Sequence, residues 1–205
     1  MKSSSVKIFY TLFSIIIFST LIHSQAYTFD NITEKDGLSE NNVLDIFQDS
    51  WGFLWFVTTD AVNHYDGYEF KKFRNDPFDP NSLSPGITTT IAEDSKEKIW
   101  IGTTRGLNKY DRFTNSFKYY TTDDGLSFHQ ITNIYKDSED ILWIGMGDVI
   151  GGMNKGGLAY FDSSSERFIS FTNDTLDANS LSHNYITSII DDKLGNLWIG
   201  TKDGL

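Results

Sequence analysis

The sequence predicts an all-β fold, a β-propeller segment built from four-stranded blades. The tetrapeptide Leu142-Trp143-Ile144-Gly145 has related copies that begin at Leu54, Ile99 and Leu197. In every copy the tryptophan lies seventeen positions after a Leu-Ser pair and six positions after an aspartate. Successive tryptophans are 43 to 55 residues apart. A repeat of about 40 to 50 residues that holds four short strands is typical of a propeller.

Each unit contains runs of β-branched and aromatic residues separated by turns rich in Asp and Gly, and this alternation predicts strands. In the first unit the predicted strands are residues 43–47, 54–58, 61–65 and 68–73. The second unit repeats them at 88–92, 99–103, 106–110 and 117–120, and the third at 131–135, 141–146, 157–161 and 168–171. The fourth unit supplies only 186–190 and 197–201. The units therefore span about 38–73, 83–120, 126–171 and, incomplete, 181–205.

Two features depart from the regular repeat. Residues 27–32 alternate like the end of a unit that lacks its beginning, which predicts a leading strand before the first blade. An insertion, residues 147–156, separates the second and third strands of the third unit. We therefore predict three complete blades, a leading strand and a half blade, as a fragment of a larger propeller.

Composition limits the classes of function. The formal net charge is −11, so nucleic acid is a poor candidate partner because its binding needs a broad basic surface. Cysteine is absent, which excludes disulfides, thiolate metal sites and a cysteine nucleophile. Residues 1–26 combine Lys2 and Lys7 with a fifteen-residue apolar run and small residues at Ser24 and Ala26. This pattern predicts an export signal peptide, with the propeller repeats occupying residues 27–205 outside the cytoplasm.

The third unit carries the recurring text of one known family. Asp124-Gly125-Leu126-Ser127, Asp137, Leu142-Trp143-Ile144-Gly145, Gly157-Leu158 and Phe168 occupy its characteristic positions. The chain from residue 27 to residue 205 thus resembles the two-component regulator propeller repeat family. It departs from the pattern where Val57 replaces glycine, at Ala61-Val62 and in the insertion.

The resemblance implies the extracytoplasmic sensor region of a hybrid two-component receptor that senses glycan-derived oligosaccharides. It implies a periplasmic location, with the parent receptor anchored in the inner membrane and further propeller blades and a membrane-linked histidine kinase in the parent chain. We predict no enzyme activity for these 205 residues. Two alternatives stay open, a carbohydrate-active propeller enzyme and a protein-interaction scaffold without catalysis.

The repeated aspartates, Asp49, Asp94, Asp137 and Asp192, each precede a tight turn, and there an Asp side chain can accept backbone N–H bonds. We predict that they are structural and that the tryptophans belong to the core. No cofactor is expected. One of the four histidines, His23, lies in the predicted signal peptide, so no shared metal site is expected either.

Binding residues are better inferred from topology. In an up-and-down blade, the connectors between blades and the loops between second and third strands emerge on one face, and there the non-repeated residues gather. We expect the insertion to lie on this face near the connectors that hold His129 and His183, and to contribute to recognition. The candidate ligand-binding residues are Asn41, Asn42, Asp60, Arg105, His129, Asp148, Asn154, Lys155, His183 and Tyr185.

Overall fold

The computed structural model describes residues 27–148, 152–192 and 194–205. The predicted signal peptide, residues 1–26, lies outside the described residues. The chain divides into two compact units, Met1–Asn31 and Ile32–Leu205, and every described strand belongs to the second. Within the described part of the chain, no helix has the length and apolar character needed to cross a bilayer.

The described strands form four antiparallel sheets, each in simple sequence order. Blade 1 contains β1 (Val43–Gln48), β2 (Leu54–Thr58), β3 (Val62–Tyr65) and β4 (Phe70–Phe73); blade 2 contains β5 (Thr88–Glu93), β6 (Ile99–Thr103), β7 (Gly106–Asp111) and β8 (Ser116–Tyr120); blade 3 contains β9 (Ile131–Lys136), β10 (Leu142–Gly147), β11 (Gly156–Asp162) and β12 (Arg167–Phe171); blade 4 contains β13 (Ile186–Asp191) and β14 (Leu197–Thr201). These blades confirm the predicted all-β propeller segment with three complete blades and a half blade.

The leading strand predicted for residues 27–32 is not a strand in the structure. A strand is defined by its ladder with a neighbour, and none of the described strands pairs with these residues. The alternating sequence alone could not reveal that none of the described strands pairs with this segment.

One aspartate clamps each turn between the first and second strands to the tryptophan of the second strand. In blade 2, one oxygen of Asp94 accepts hydrogen bonds from the N–H groups of Lys96 and Lys98, both at 2.9 Å. Its other oxygen accepts the indole N–H of Trp100 at 2.8 Å. The same three bonds recur in the other blades at Asp49, Asp137 and Asp192. The structural role predicted for these aspartates is therefore confirmed.

In blade 4 the clamp also lowers the pKa of its aspartate. In blade 4, the side-chain amide of Asn196, its N–H and the indole N–H of Trp198 hold the pKa of the Asp192 carboxyl far below its usual range. These donors all favour the ionised form, so the carboxylate is committed to the turn.

The Leu-Ser pair is fixed by an asparagine on the third strand in blades 1 and 2. The Ser84 N–H donates to the side-chain oxygen of Asn108, whose amide donates back to the Ser84 hydroxyl, both at 2.9 Å. Ser39 and Asn63 make the same exchange in blade 1. The adjacent leucine is buried, as in Leu83, which is 3% exposed. The connector is thereby fastened to the blade that it begins.

Neighbouring blades touch along their first two strands. The second-strand glycines permit this approach, because a Cβ added at Gly102 would lie 2.7 Å from Ile131 Cγ2, and one at Gly145 would lie 2.8 Å from Ile186 Cγ2. Each first strand also carries a bulge. The bulged Thr89 donates its hydroxyl to the Ile131 carbonyl at 2.9 Å, and the bulged Thr132 makes the equivalent bond to the next blade.

The tryptophans contribute to the core between blades, but they are buried to different extents. Trp55 and Trp100 are buried, and Trp100 contacts Phe161 of the next blade with a ring-centroid distance of 4.9 Å. Trp143 is partly buried, and Trp198 is 50% exposed. The prediction that all four are core residues is therefore wrong for Trp198. A third strand in the following blade covers each buried tryptophan, and the described strands provide no such neighbour for Trp198.

We expect Asp94→Ala to lower the free energy of unfolding by about 2 to 4 kcal/mol, since it leaves two turn N–H groups and a buried indole N–H without an acceptor. Asp192→Ala removes the same three bonds beside the half-exposed Trp198, where water can replace them, and serves as the matched control. Urea unfolding followed by tryptophan fluorescence measures both changes. Equal losses in the two variants would show that burial of the indole does not set the cost.

Candidate ligand-binding face

The connectors and the loops between second and third strands lie at the same edge of every complete blade. In blade 2 the register aligns Thr88, Thr103 and Gly106 across three strands, so the start of β5 and the β6–β7 loop are neighbours. We call this edge the connector face. The opposite edge carries the aspartate turns and the loops between third and fourth strands, and we call it the turn face.

The blade 1 candidates lie on the connector face and are bonded locally. Asn41 and Glu34 exchange hydrogen bonds between side chain and backbone at 3.0 and 3.2 Å. Asp60 forms an exposed ion pair with Arg74 at 2.5 Å. Asn42 is exposed. These residues form no hydrogen bond or ion pair with the described part of the insertion.

Arg105 and His129 are the exposed candidates of blades 2 and 3. The Arg105 carbonyl accepts a hydrogen bond from the Tyr119 hydroxyl, while its guanidinium has no partner among the described residues. The His129 ring lies 4.3 Å from that of Phe128. Both side chains thus present polar groups to solvent.

The insertion begins and ends against the blade. The Gly147 N–H donates to the carbonyl of Gln130, beside His129, at 3.1 Å. Asp148 is 3% exposed, and its carboxylate accepts the N–H of Met153 at 3.2 Å. Lys155 is exposed, and residues 149–151 lie outside the described residues. The Asp148 side chain therefore has a structural contact within the loop.

Three asparagines join the insertion to the connector before blade 4. The Asn184 N–H donates to the Asn154 side-chain oxygen at 2.9 Å, and its amide donates to the Asn154 carbonyl at 3.1 Å. The side-chain oxygen of Asn184 accepts the Asn173 N–H at 2.6 Å. The insertion is thus fastened across the boundary between blades 3 and 4. Asn173 and Asn184 were missing from the candidates because their pairing depends on residues distant in sequence.

Tyr185 and His183 lie beside this network. The Lys202 ammonium lies 4.0 Å from the centre of the Tyr185 ring, and a Cβ added at Gly147 would come within 2.6 Å of that ring. His183 Nδ1 accepts the Tyr185 N–H at 2.9 Å. The structure therefore brings Asn154, His183 and Tyr185 together and leaves the blade 1 candidates apart.

The four repeated aspartates are each committed to three hydrogen bonds, as described above. Among residues 27–148, 152–192 and 194–205, no group of three or more His, Cys, Asp or Glu side chains could hold a metal ion.

A family model described as two component regulator propeller matches residues 37–60, 125–148 and 180–203. Each matched segment runs from the Leu-Ser connector to the end of the second strand or just beyond it. The second blade lies outside the matched segments, yet it contains the same aspartate clamp.

Three known proteins show the range of the similarity. Histidine kinase P4 of Formosa agariphila is 44% identical over 78 residues, which cover 36% of this chain and 6% of that protein. The extracellular domain of a putative hybrid two component system of B. thetaiotaomicron is 28% identical with a TM-score of 0.73, covering 86% of this chain and 24% of that one. Virginiamycin B lyase of Staphylococcus aureus, solved with quinupristin, shares the fold at 14% identity and a TM-score of 0.53, covering 87% and 67%.

We expect Asn184→Ala to loosen the insertion, because it removes the side-chain bonds to Asn154 and Asn173. Hydrogen exchange measured by mass spectrometry should show faster exchange in peptides that span residues 152–156. Asn42→Ala, an exposed asparagine of the blade 1 connector, is the control and should leave that exchange unchanged. Unchanged exchange in Asn184→Ala would mean that the asparagine network does not hold the loop.

Proposed function

We propose that this chain, three segments of which match the two component regulator propeller model, is a ligand-binding segment of the extracellular sensor region of a hybrid two-component receptor. The observation that carries this proposal is the match of its blades to an extracellular domain of such a system at a TM-score of 0.73. The chain spans 24% of that domain and 6% of histidine kinase P4. The proposed parent therefore adds further blades and a membrane-linked histidine kinase, with the sensor region in the periplasm.

The proposed ligand is a glycan-derived oligosaccharide, bound on the connector face. Arg105, His129 and Lys155 are exposed there, and their charged or ring-nitrogen groups have no hydrogen-bond partner among the described residues. Sugar hydroxyl groups need such donors and acceptors, while an aromatic neighbour such as Phe128 contacts the apolar side of a sugar ring. The insertion adds Asn154 to the same face, and the bonds between Asn154 and Asn184 hold this residue in place, which lowers the entropic cost of binding.

The segment signals without catalysis in this proposal. A ligand that contacts more than one connector favours one arrangement of the blades, and it shifts the receptor's equilibrium by the difference in its affinity for two states. The lyase with the same fold shows that propellers also support catalysis, so the enzyme alternative needs its own measurement.

We expect calorimetry on the full extracellular region of the parent receptor to detect saturable binding of one oligosaccharide class. Arg105→Ala and His129→Ala should each weaken that binding about threefold to tenfold, because each removes a hydrogen bond to the sugar. Lys35→Ala, an exposed side chain on the first connector that was not among the candidates, is the control. No saturable binding by any oligosaccharide would favour the scaffold alternative.

Chromatography of the same mixtures after prolonged incubation tests for catalysis. We expect the oligosaccharides to be recovered unchanged. Cleaved products that appear with the receptor and not with buffer would establish the enzyme alternative.

A further inference from the structure

A carboxylate joins blade 1 to blade 2 at the turn face. Glu93, the last residue of β5, accepts the N–H of Ser50 at 2.7 Å and its hydroxyl at 2.9 Å. Arg112, from the β7–β8 turn, pairs with Glu93 and also lies 3.1 Å from Asp49. The serine after the clamping aspartate is thus bonded to an acid on the next blade.

The boundary between blades 3 and 4 has the same construction. Asp191, the last residue of β13, accepts the N–H of Ser138 at 3.0 Å and the hydroxyl of Tyr135. The Ser138 and Tyr135 side chains hold the pKa of the Asp191 carboxyl at about 2. A carboxylate at this position is therefore a repeated contact between blades.

The boundary between blades 2 and 3 lacks that carboxylate. Lys136 is the last residue of β9, in the place of Glu93 and Asp191, and its ammonium pairs with Asp140 at 2.8 Å. Ser95 is the serine equivalent to Ser50 and Ser138. It is exposed, and neither its N–H nor its hydroxyl has a hydrogen-bond partner among the described residues. The serine N–H and hydroxyl, which bind a carboxylate at both other boundaries, have no carboxylate partner at this one.

Two cavities adjoin Ser95, of about 480 and 570 Å³. The equivalent space between blades 1 and 2, which Arg112 and Trp51 help to line, is about 170 Å³. The first cavity is lined by Lys98 and Lys109, with the rings of Tyr160 and Phe161. The boundary that lacks the carboxylate therefore also has a cavity large enough for a molecule of about monosaccharide size.

The carboxylates in this lining already have partners. Asp94 is held in its clamp, and the Ser165 and Ser164 side chains hold the pKa of Asp162 at about 2. Glu166 pairs with Lys118 at 2.5 Å. The lining therefore keeps uncommitted donors at Ser95, while its ionised carboxylates are already engaged by hydrogen bonds or by lysines.

We propose that this site on the turn face binds a small organic acid of monosaccharide size, whose carboxylate takes the position that Glu93 and Asp191 occupy at the other boundaries. The carboxylate accepts the N–H and hydroxyl of Ser95, while the ring of the ligand lies in the cavity beside Tyr160 and Phe161. Lys98 and Lys109 line the site, where they pair with Asp111 at 2.8 Å and Glu166 at 3.7 Å and so offset the negative charge of the neighbouring acids. The site is at the edge opposite the connector face, so it does not rest on the oligosaccharide proposal.

The probe is D-glucuronate, with D-glucose as the neutral control of the same size. Titration of the full chain by calorimetry, or by the NMR signal of the Ser95 amide, should give saturable binding of glucuronate and none of glucose. Absence of saturable glucuronate binding, or equal binding of glucose, would overturn the proposal.

Lys136→Glu is the decisive variant, because it introduces the carboxylate found at the other boundaries. The new side chain then occupies the position proposed for the carboxylate of the ligand. The variant should abolish glucuronate binding and raise the melting temperature, whereas Lys35→Glu makes the same charge change on a distant connector and should do neither.

Ser95→Ala should weaken binding about threefold to tenfold. Ser182→Ala, at an exposed serine of the connector before blade 4, should leave binding unchanged. If the Lys136→Glu variant bound glucuronate as tightly as the unmodified chain does, the proposed site on the turn face would be wrong.

Discussion

The bond network between an aspartate and the tryptophan six residues later is the constraint on which the blades depend. It closes the turn between the first two strands, and in the same step it orients an indole ring toward the next blade. Because the carboxylate accepts three N–H groups, turn geometry and the orientation of the core side chain are fixed together. Bulged threonines and second-strand glycines then allow the next blade to approach closely. Local and inter-blade structure therefore rest on the same few residues.

Departures from the repeat are more informative than the repeat itself. Repeated polar residues such as Asp94 and Asn108 have their hydrogen bonds satisfied within the scaffold, so they offer little to a ligand. At three places the chain replaces or adds residues that the scaffold does not need: the insertion, the histidine-containing connectors and Lys136. Equivalent positions in the other blades show which hydrogen bonds the scaffold normally makes there. The two proposed binding regions come from this comparison and lie on opposite faces.

The candidate site was only partly predictable. Topology was sufficient to place Arg105, His129 and the insertion on one face, because up-and-down strands bring connectors and second-to-third loops to the same edge. It could not show that Asn184 holds the insertion, that Lys202 covers Tyr185 or that the Asp148 carboxylate accepts a bond within its own loop. Such pairings depend on side-chain positions set by packing between blades. The importance of Ser95 was equally hidden, since its neighbours are recognised only when three boundaries are compared in space.

By itself the sequence determined the three complete blades and the half blade of the described residues, their strands to within about two residues and the structural role of the aspartates. These features depend on local chemistry, namely turn residues, strand-forming runs and a fixed spacing, and a repeat displays each of them several times. Tertiary structure alone decided that residues 27–32 form no strand, that Trp198 is half exposed while Trp100 is buried, and where vacant donors meet a cavity. Each of these outcomes depends on whether a neighbouring blade supplies a partner, and a partner distant in sequence leaves no local pattern.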